Sequence, residues 1–254
     1  MSISNLPRAL IEIAYAEAAR KYLESLPLEH FMEATAQATQ RKITLESLDL
    51  VQARRPDVQV FNELLVQYPL RGRKKPGQIV PDNMVVLCEQ PIKADGSYDV
   101  PLQPVGPFWV MEYVSKYNKR KDYEKSFRKY ERELKVPYYL IFYPDNQELT
   151  LYKLQRGKYV SVKPNERERY PLPQLELEMA LVDGWVRYWY QGELLPLPGE
   201  LQSELDTARR QVEEQRRRAD RAEQRIEQER EARLALEREV EQLRRRLRQK
   251  PDKS

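Results

Sequence analysis

The last fifty-odd residues of this 254-residue chain contain no aromatic residue, while everything up to about Gly199 holds all of the tyrosines, phenylalanines and tryptophans. That partition limits the fold before any motif is read, because only the first part can bury a sizeable core. The tail from Leu201 to about Leu247 also lacks Pro and Gly. Within it Leu201, Leu205, Ala208, Val212, Ala219, Ala222, Ile226, Leu236, Val240, Leu243 and Leu247 share one alternating three-four spacing, which Gln215, Glu229 and Arg233 interrupt in the middle. Such spacing lays a narrow apolar seam along one side of a helix and specifies a coiled coil. Paired Glu and Arg on the remaining surface support the helix. Residues 201–247 are therefore expected to associate with another helix, in a homo-oligomer or with a coiled-coil partner. Leu195-Pro-Leu-Pro-Gly199 is expected to be a short, stiff linker.

Composition removes several classes of function. A net charge of +4 is small beside 44 basic and 40 acidic residues, so charge alone does not argue for nucleic acid. The single cysteine, Cys88, excludes an internal disulfide and a cysteine-rich zinc site, and it reads as a small core residue. The single histidine, His30, argues against histidine-based catalysis or a histidine metal cluster. Glycine is too scarce for a phosphate-cradling loop. The N-terminal stretch Arg8–Glu17 carries acidic residues inside its apolar run, unlike a signal-peptide core, and the longest apolar runs fall far short of a membrane span. These features predict a soluble, cytoplasmic protein with no membrane association.

Helical spacing marks a first helix through Leu10, Ile11, Ile13, Ala14, Ala18 and Tyr22, and a second from about Met32 to Ala53. Strand patterns follow over Val58–Tyr68, Ile79–Leu87 and Phe108–Val114. The last is almost continuously apolar, which suits a central strand and makes Glu112 conspicuous. A charged helix spans Asp122–Lys135, followed by an apolar strand at Tyr138–Tyr143 and a hairpin across Gln155–Lys158. Trp185, Tyr188, Trp189 and Tyr190 are expected to cover the sheet. The order predicts an α/β class, with a mixed central sheet flanked by helices.

Two carboxylates stand among these apolar stretches, Asp82 and Glu112. A buried carboxylate is costly unless a positive charge neutralises it. Two on neighbouring strands and pointing the same way would suit a hard divalent cation such as Mg2+ or Mn2+. A nearby lysine would add a point charge to phosphoryl chemistry.

Taken together, these pieces resemble the Uma-type restriction endonuclease family, also known as domain of unknown function 820, of the PD-(D/E)XK superfamily. The resemblance covers roughly Met32 to Leu197 and is clearest between Asn62 and Pro144. It rests on Pro81-Asp82-Asn-Met-Val-Val86, on Val110-Met-Glu112-Tyr-Val-Ser115, on Asp122, Lys125 and Tyr130 in the following helix, and on Val136-Pro-Tyr-Tyr-Leu-Ile-Phe-Tyr143. It implies a restriction-endonuclease-like fold and a Mg2+- or Mn2+-dependent endonuclease cutting DNA. Asp82 and Glu112 would hold the metal, Lys125 or Lys129 would stabilise developing charge, and Ser115 and Asp122 would support them. The chain departs from the pattern at Val114, where the superfamily name places lysine, and at Ser126, where the Uma-type group carries it. A degraded nuclease fold, acting as a nucleic-acid-binding or scaffolding module through its coiled coil, is the alternative expectation.

Arg71, Arg73, Lys74 and Lys75 precede Asp82, and Lys116, Lys119, Arg120 and Lys121 follow Glu112. On one face they would track a phosphate backbone without reading its sequence. The expected organisation is an N-terminal helical segment over 1–30, the nuclease domain over 31–197, and the charged coiled-coil tail over 198–254.

Overall fold

A computed structural model describes residues 7–26, 35–114 and 122–248. Two compact units divide the chain, Met1–Leu197 and Pro198–Ser254. In the first, helices α1 (Arg8–Glu24) and α2 (Thr35–Arg54) precede the strands β1 (Val58–Asn62), β2 (Leu65–Tyr68), β3 (Gly77–Ile79), β4 (Asn83–Leu87), β5 (Ser97–Asp99) and β6 (Trp109–Tyr113). A helix α3 follows, built from the π-helical segments Asp122–Ser126 and Lys129–Leu134 with Phe127 and Arg128 in α form between them. Then come β7 (Tyr138–Tyr143), β8 (Glu148–Gln155), β9 (Lys158–Ser161), β10 (Tyr170–Leu172), β11 (Leu177–Val182), β12 (Trp185–Tyr190) and β13 (Glu193–Leu194).

Six strands form the main sheet in the order β1-β4-β6-β7-β8-β9. The β6–β7 pair is parallel and the other pairs are antiparallel, so the sheet is mixed. Parallel neighbours need a crossover connection, and α3 lies in it. A four-stranded antiparallel sheet, β10-β11-β12-β13, and a small sheet, β3-β2-β5, complete the unit.

Two stretches that read as single strands are each divided between sheets. Val58–Tyr68 breaks at Glu63, whose φ of 47° is left-handed, so β1 enters the main sheet and β2 the small one. Ile79–Leu87 breaks at Pro81-Asp82, since proline has no N–H for a ladder. The two breaks meet: the Glu63 N–H donates to the Asp82 carbonyl at 3.2 Å. Asp82 therefore lies at a corner just before β4, and not inside a strand as its apolar neighbours suggest.

Alternation along the main sheet feeds two cores. Val85, Trp109, Met111, Leu140 and Phe142 face one side, where Ile43, Leu48 and Val51 of α2 and Met179, Val186 and Tyr188 of the four-stranded sheet close over them. Full burial of such side chains stabilises by about 1.5–3 kcal/mol each. Gln40, 1% exposed, locks α2 to β12 by donating to the Val186 carbonyl (3.2 Å) and accepting from the Val186 N–H (2.8 Å). Trp185–Tyr190 is thus a strand of a second sheet; the expectation that these aromatics cover the first sheet holds for Tyr188, which meets Trp109 edge-on. On the other side Met84, Val86, Val110, Val114, Tyr139 and Ile141 pack with Tyr130 of α3 and with Val66, Tyr68 and Ile79 of the small sheet. Cys88 follows β4 and is only partly buried, contrary to its reading as a core residue.

The second unit contains α4 (Pro198–Arg248), a helix of 51 residues. Its length is roughly 75 Å at 1.5 Å per residue. Pro198 and Gly199 belong to its first turn, where proline's missing N–H is no loss, so the expected linker is shorter than it reads. Among the described residues no helix is long and apolar enough to cross a membrane.

Candidate active site

The pairing of β4 with β6 sets Asn83 opposite Met111 and Met84 opposite Val110. Glu112 of β6 alternates onto the side of Val110 and Val114, the face under α3. Asp82 lies one residue before β4, outside the ladder, where its carboxylate meets the backbone of Tyr113, the residue after Glu112.

Each carboxylate is held by hydrogen bonds. The Tyr113 N–H donates to Asp82 Oδ2 at 2.5 Å, and Gln37 Nε2 of α2 donates to Asp82 Oδ1 at 3.2 Å. Glu112, 8% exposed, accepts from the Tyr130 hydroxyl at 2.5 Å. Tyr130 is itself fully buried, and burial first, then the charge of Glu112, pushes its phenol well above the ordinary tyrosine range. Asp82 acts on the same hydroxyl in the same direction, so both acids bear on one point beneath α3. The phenol consequently stays protonated at neutral pH and remains a donor to Glu112.

The basic residues are distributed differently. Lys129 is partly buried and donates through Nζ to the Gln78 carbonyl of β3 at 2.7 Å. Lys125 is exposed, and Ser126 is partly buried. Arg71, Arg73, Lys74 and Lys75 are exposed on the β2–β3 loop. Ser115, Lys116, Lys119, Arg120 and Lys121 lie outside the described residues; Asp122 begins α3, and its side chain lies outside them too. Gln37 is a site neighbour that sequence reasoning missed. A polar residue in the first turns of a helix carries no signal of its own, and only the approach of α2 to the Pro81 corner reveals it. Tyr130 stood out in the family pattern, yet its bond to Glu112 is a property of the packing.

Among the described residues no group of three or more His, Cys, Asp or Glu is assembled as a metal cage. Asp82 and Glu112 together would offer two carboxylates, a donor set that suits Mg2+ better than zinc, because magnesium uses one or two carboxylates and completes its shell with water and phosphate. The hydrogen bonds from Tyr130, Gln37 and the Tyr113 N–H orient the acids, as outer-sphere partners of metal ligands do, while each carboxylate has about four acceptor positions.

The main sheet, with its parallel β6–β7 pair, its crossover helix and its acids at the β4–β6 corner, defines a restriction-endonuclease-like α/β domain. A family model described as Uma2, putative restriction endonuclease, matches residues 31–185, more than half of the chain. The chain belongs to the Uma2 family, which bears out the resemblance drawn from Pro81-Asp82, Glu112 and the α3–β7 segment. Among solved structures, it is similar to one described as a crystal structure of a putative nuclease belonging to DUF820 from Anabaena variabilis ATCC 29413, at 17% identity and a TM-score of 0.43, over 57% of this chain and 75% of that one. None of the curated proteins compared with the chain matches it.

Proposed function

We propose that this domain is a metal-dependent endonuclease that hydrolyses DNA phosphodiesters, with Asp82 and Glu112 as its metal-holding acids. The observation that supports the reading is the Asp82 carboxylate accepting from the Tyr113 N–H, next in the chain to Glu112, with both acids acting on the Tyr130 hydroxyl. Restriction-endonuclease-like families generally use divalent metals. Bound by these acids, Mg2+ or Mn2+ would supply an activated water and offset charge on the scissile phosphate. The chain's own residues have distinct tasks. Tyr130 fixes the Glu112 carboxylate by a charge-assisted hydrogen bond, and Gln37 and the Tyr113 N–H fix Asp82. Lys129, adjacent in sequence to Tyr130, would provide the positive point charge, with Lys125 as the second candidate on the same helix. Ser115 and Asp122 keep the supporting roles implied by the family pattern. Arg71, Arg73, Lys74 and Lys75, with Lys116 and Lys119, would contact the DNA backbone.

One observation favours a second reading. The Lys129 ammonium is bonded to a backbone carbonyl, and Val114 and Ser126 stand at the two lysine positions of the pattern. A fold that has lost cleavage and acts as a nucleic-acid-binding or scaffolding module would account for both. In either reading residues 1–30 form a helical segment, 31–197 the nuclease-like domain and 198–254 a tail that associates with another helix. A cytoplasmic setting suits a chain with one cysteine.

The test is cleavage of supercoiled plasmid with Mg2+ or Mn2+ by the wild type and by Asp82→Ala and Glu112→Ala. Cleavage by the wild type that both variants lose is the expected result. A folded wild type that binds DNA yet leaves the plasmid intact in either metal refutes the enzyme and favours the module.

A further inference from the structure

The tail helix α4 presents Leu201, Leu205, Val212, Ile226, Leu236 and Val240 at 40–66% exposure. We infer that what covers them is a second copy of the same chain, packed parallel and in register as a two-stranded coil. The inference rests on the reading of the tail as a coiled coil and goes beyond it by naming partner, strand number and direction.

Charge decides the direction. With Leu205, Val212, Ala219, Ile226, Arg233 and Val240 at heptad position a, the residue just before each (position g) of one helix faces the residue five further along (position e) of a parallel partner. Those pairs are Glu204 with Arg209, Arg218 with Glu223 and Glu239 with Arg244, all attractive, and Arg225 with Arg230, which is repulsive. Symmetry doubles each, so attraction outnumbers repulsion threefold. A full antiparallel overlap, with Leu201 level with Leu247, instead opposes Arg216 with Arg230, Glu223 with its own copy and Arg225 with its own copy, and these repulsions offset its attractive pairs, Arg209 with Glu237 and Glu204 with Arg246.

The polar layers point the same way. In the parallel pair Glu229, at position d, and Arg233, at position a, each meet their own copy, but Glu229 is also flanked across the seam by Arg230 and Arg233 of the other copy, so the carboxylate has counter-charges beside it. In the antiparallel overlap Glu229 meets Ala219 and Arg233 meets Gln215, and neither charge finds a counter-charge directly opposite. Among the described residues two ion pairs within the helix, Arg217 with Glu213 at 3.1 Å and Arg245 with Glu241 at 2.8 Å, occupy the outer face and support it without competing for its partner. Arg218 with Glu214 at 2.6 Å, Arg230 with Glu227 at 3.9 Å and Arg233 with Glu237 at 3.2 Å use seam or flanking residues, so these three arginines divide their charge between their own helix and the partner. Both chains enter the coil at Pro198, so a parallel pair tethers two copies of the nuclease-family domain to the same end of one rod. Two linked sites raise the effective concentration of the second on a shared duplex.

The test uses the full chain. Sedimentation equilibrium is expected to give two chains per particle. In a Cys88→Ser background, Leu205→Cys is expected to form a covalent dimer on oxidation, because equal a positions of parallel chains lie within disulfide reach. Glu213→Cys, on the outer face, is expected not to. Glu204→Arg is expected to weaken association by about tenfold or more, and adding Arg209→Glu to restore it. A dimer that neither cross-links at 205 nor recovers with the charge swap overturns the parallel pair while leaving the coiled-coil reading intact. A trimer or tetramer also overturns it. A monomer at tens of micromolar overturns both the pair and the coiled-coil reading.

Discussion

Replacing Tyr130 by Phe removes one oxygen from a fully buried ring and leaves the Glu112 carboxylate, 8% exposed, without its 2.5 Å donor. A hydrogen bond to a charged group contributes about 1.5–3 kcal/mol net, so Tyr130→Phe is expected to destabilise the domain by about 2 kcal/mol near pH 8. For a unit of this size 1 kcal/mol corresponds to about 2–4 °C in Tm, giving a fall of about 4–8 °C. Near-UV circular dichroism is a clean assay, since every aromatic residue lies ahead of the tail. The pH dependence provides a second check. Burial holds Tyr130 protonated far above the usual tyrosine value of 10.0. Above pH 10 the unfolded chain therefore releases a proton that the folded one keeps. Stability from this group is full below pH 10 and is lost as pH rises, by up to about 1.4 kcal/mol per unit. Tyr130→Phe lacks that loss, so the gap between wild type and variant is expected to narrow to well under 1 kcal/mol near pH 11. A variant as stable as the wild type at pH 8, or a gap that widens with pH, would refute the proposed bond and its role in holding Glu112.

Two further outcomes follow from the geometry. Gln40→Ala removes both bonds to the Val186 backbone inside the main core and is expected to cost about 2–4 kcal/mol, measured by urea denaturation; a loss below 0.5 kcal/mol would show that α2 is not locked to β12 in this way. Replacing Arg71, Arg73, Lys74 and Lys75 together by Gln is expected to lower the slope of log affinity against log salt for duplex DNA by up to about 3.6, if all four contact phosphates. An unchanged slope would remove this loop from the DNA interface.

Much of the molecule was legible in the residues, and the misses have specific causes. The centrality of β6 was visible because a strand covered on both faces must be apolar throughout, and Glu112 stood out against that background. The tail was legible because a helical seam repeats locally. The divisions at Glu63 and at Pro81-Asp82 were not, since alternation records which residues a strand buries but not which sheet receives them. The same gap hid β10–β13: Trp185–Tyr190 is apolar whether it lies over a sheet or within one. Helix α3 reads as an ordinary charged helix, and its π-helical segments, which govern where Lys129 and Tyr130 emerge, depend on its seating against the sheet.

By itself the sequence determined the division into a core-forming part and a helical tail, and the family, because these follow from composition, local periodicity and motif order. Only the tertiary structure decided that the Asp82 carboxylate meets the Tyr113 N–H beside Glu112, that Tyr130 bonds to Glu112 and Gln37 to Asp82, and that Lys129 turns to the Gln78 carbonyl. Those relations join residues far apart in the chain, and the register and packing that bring them together are set by pairing between distant segments, which no local pattern encodes.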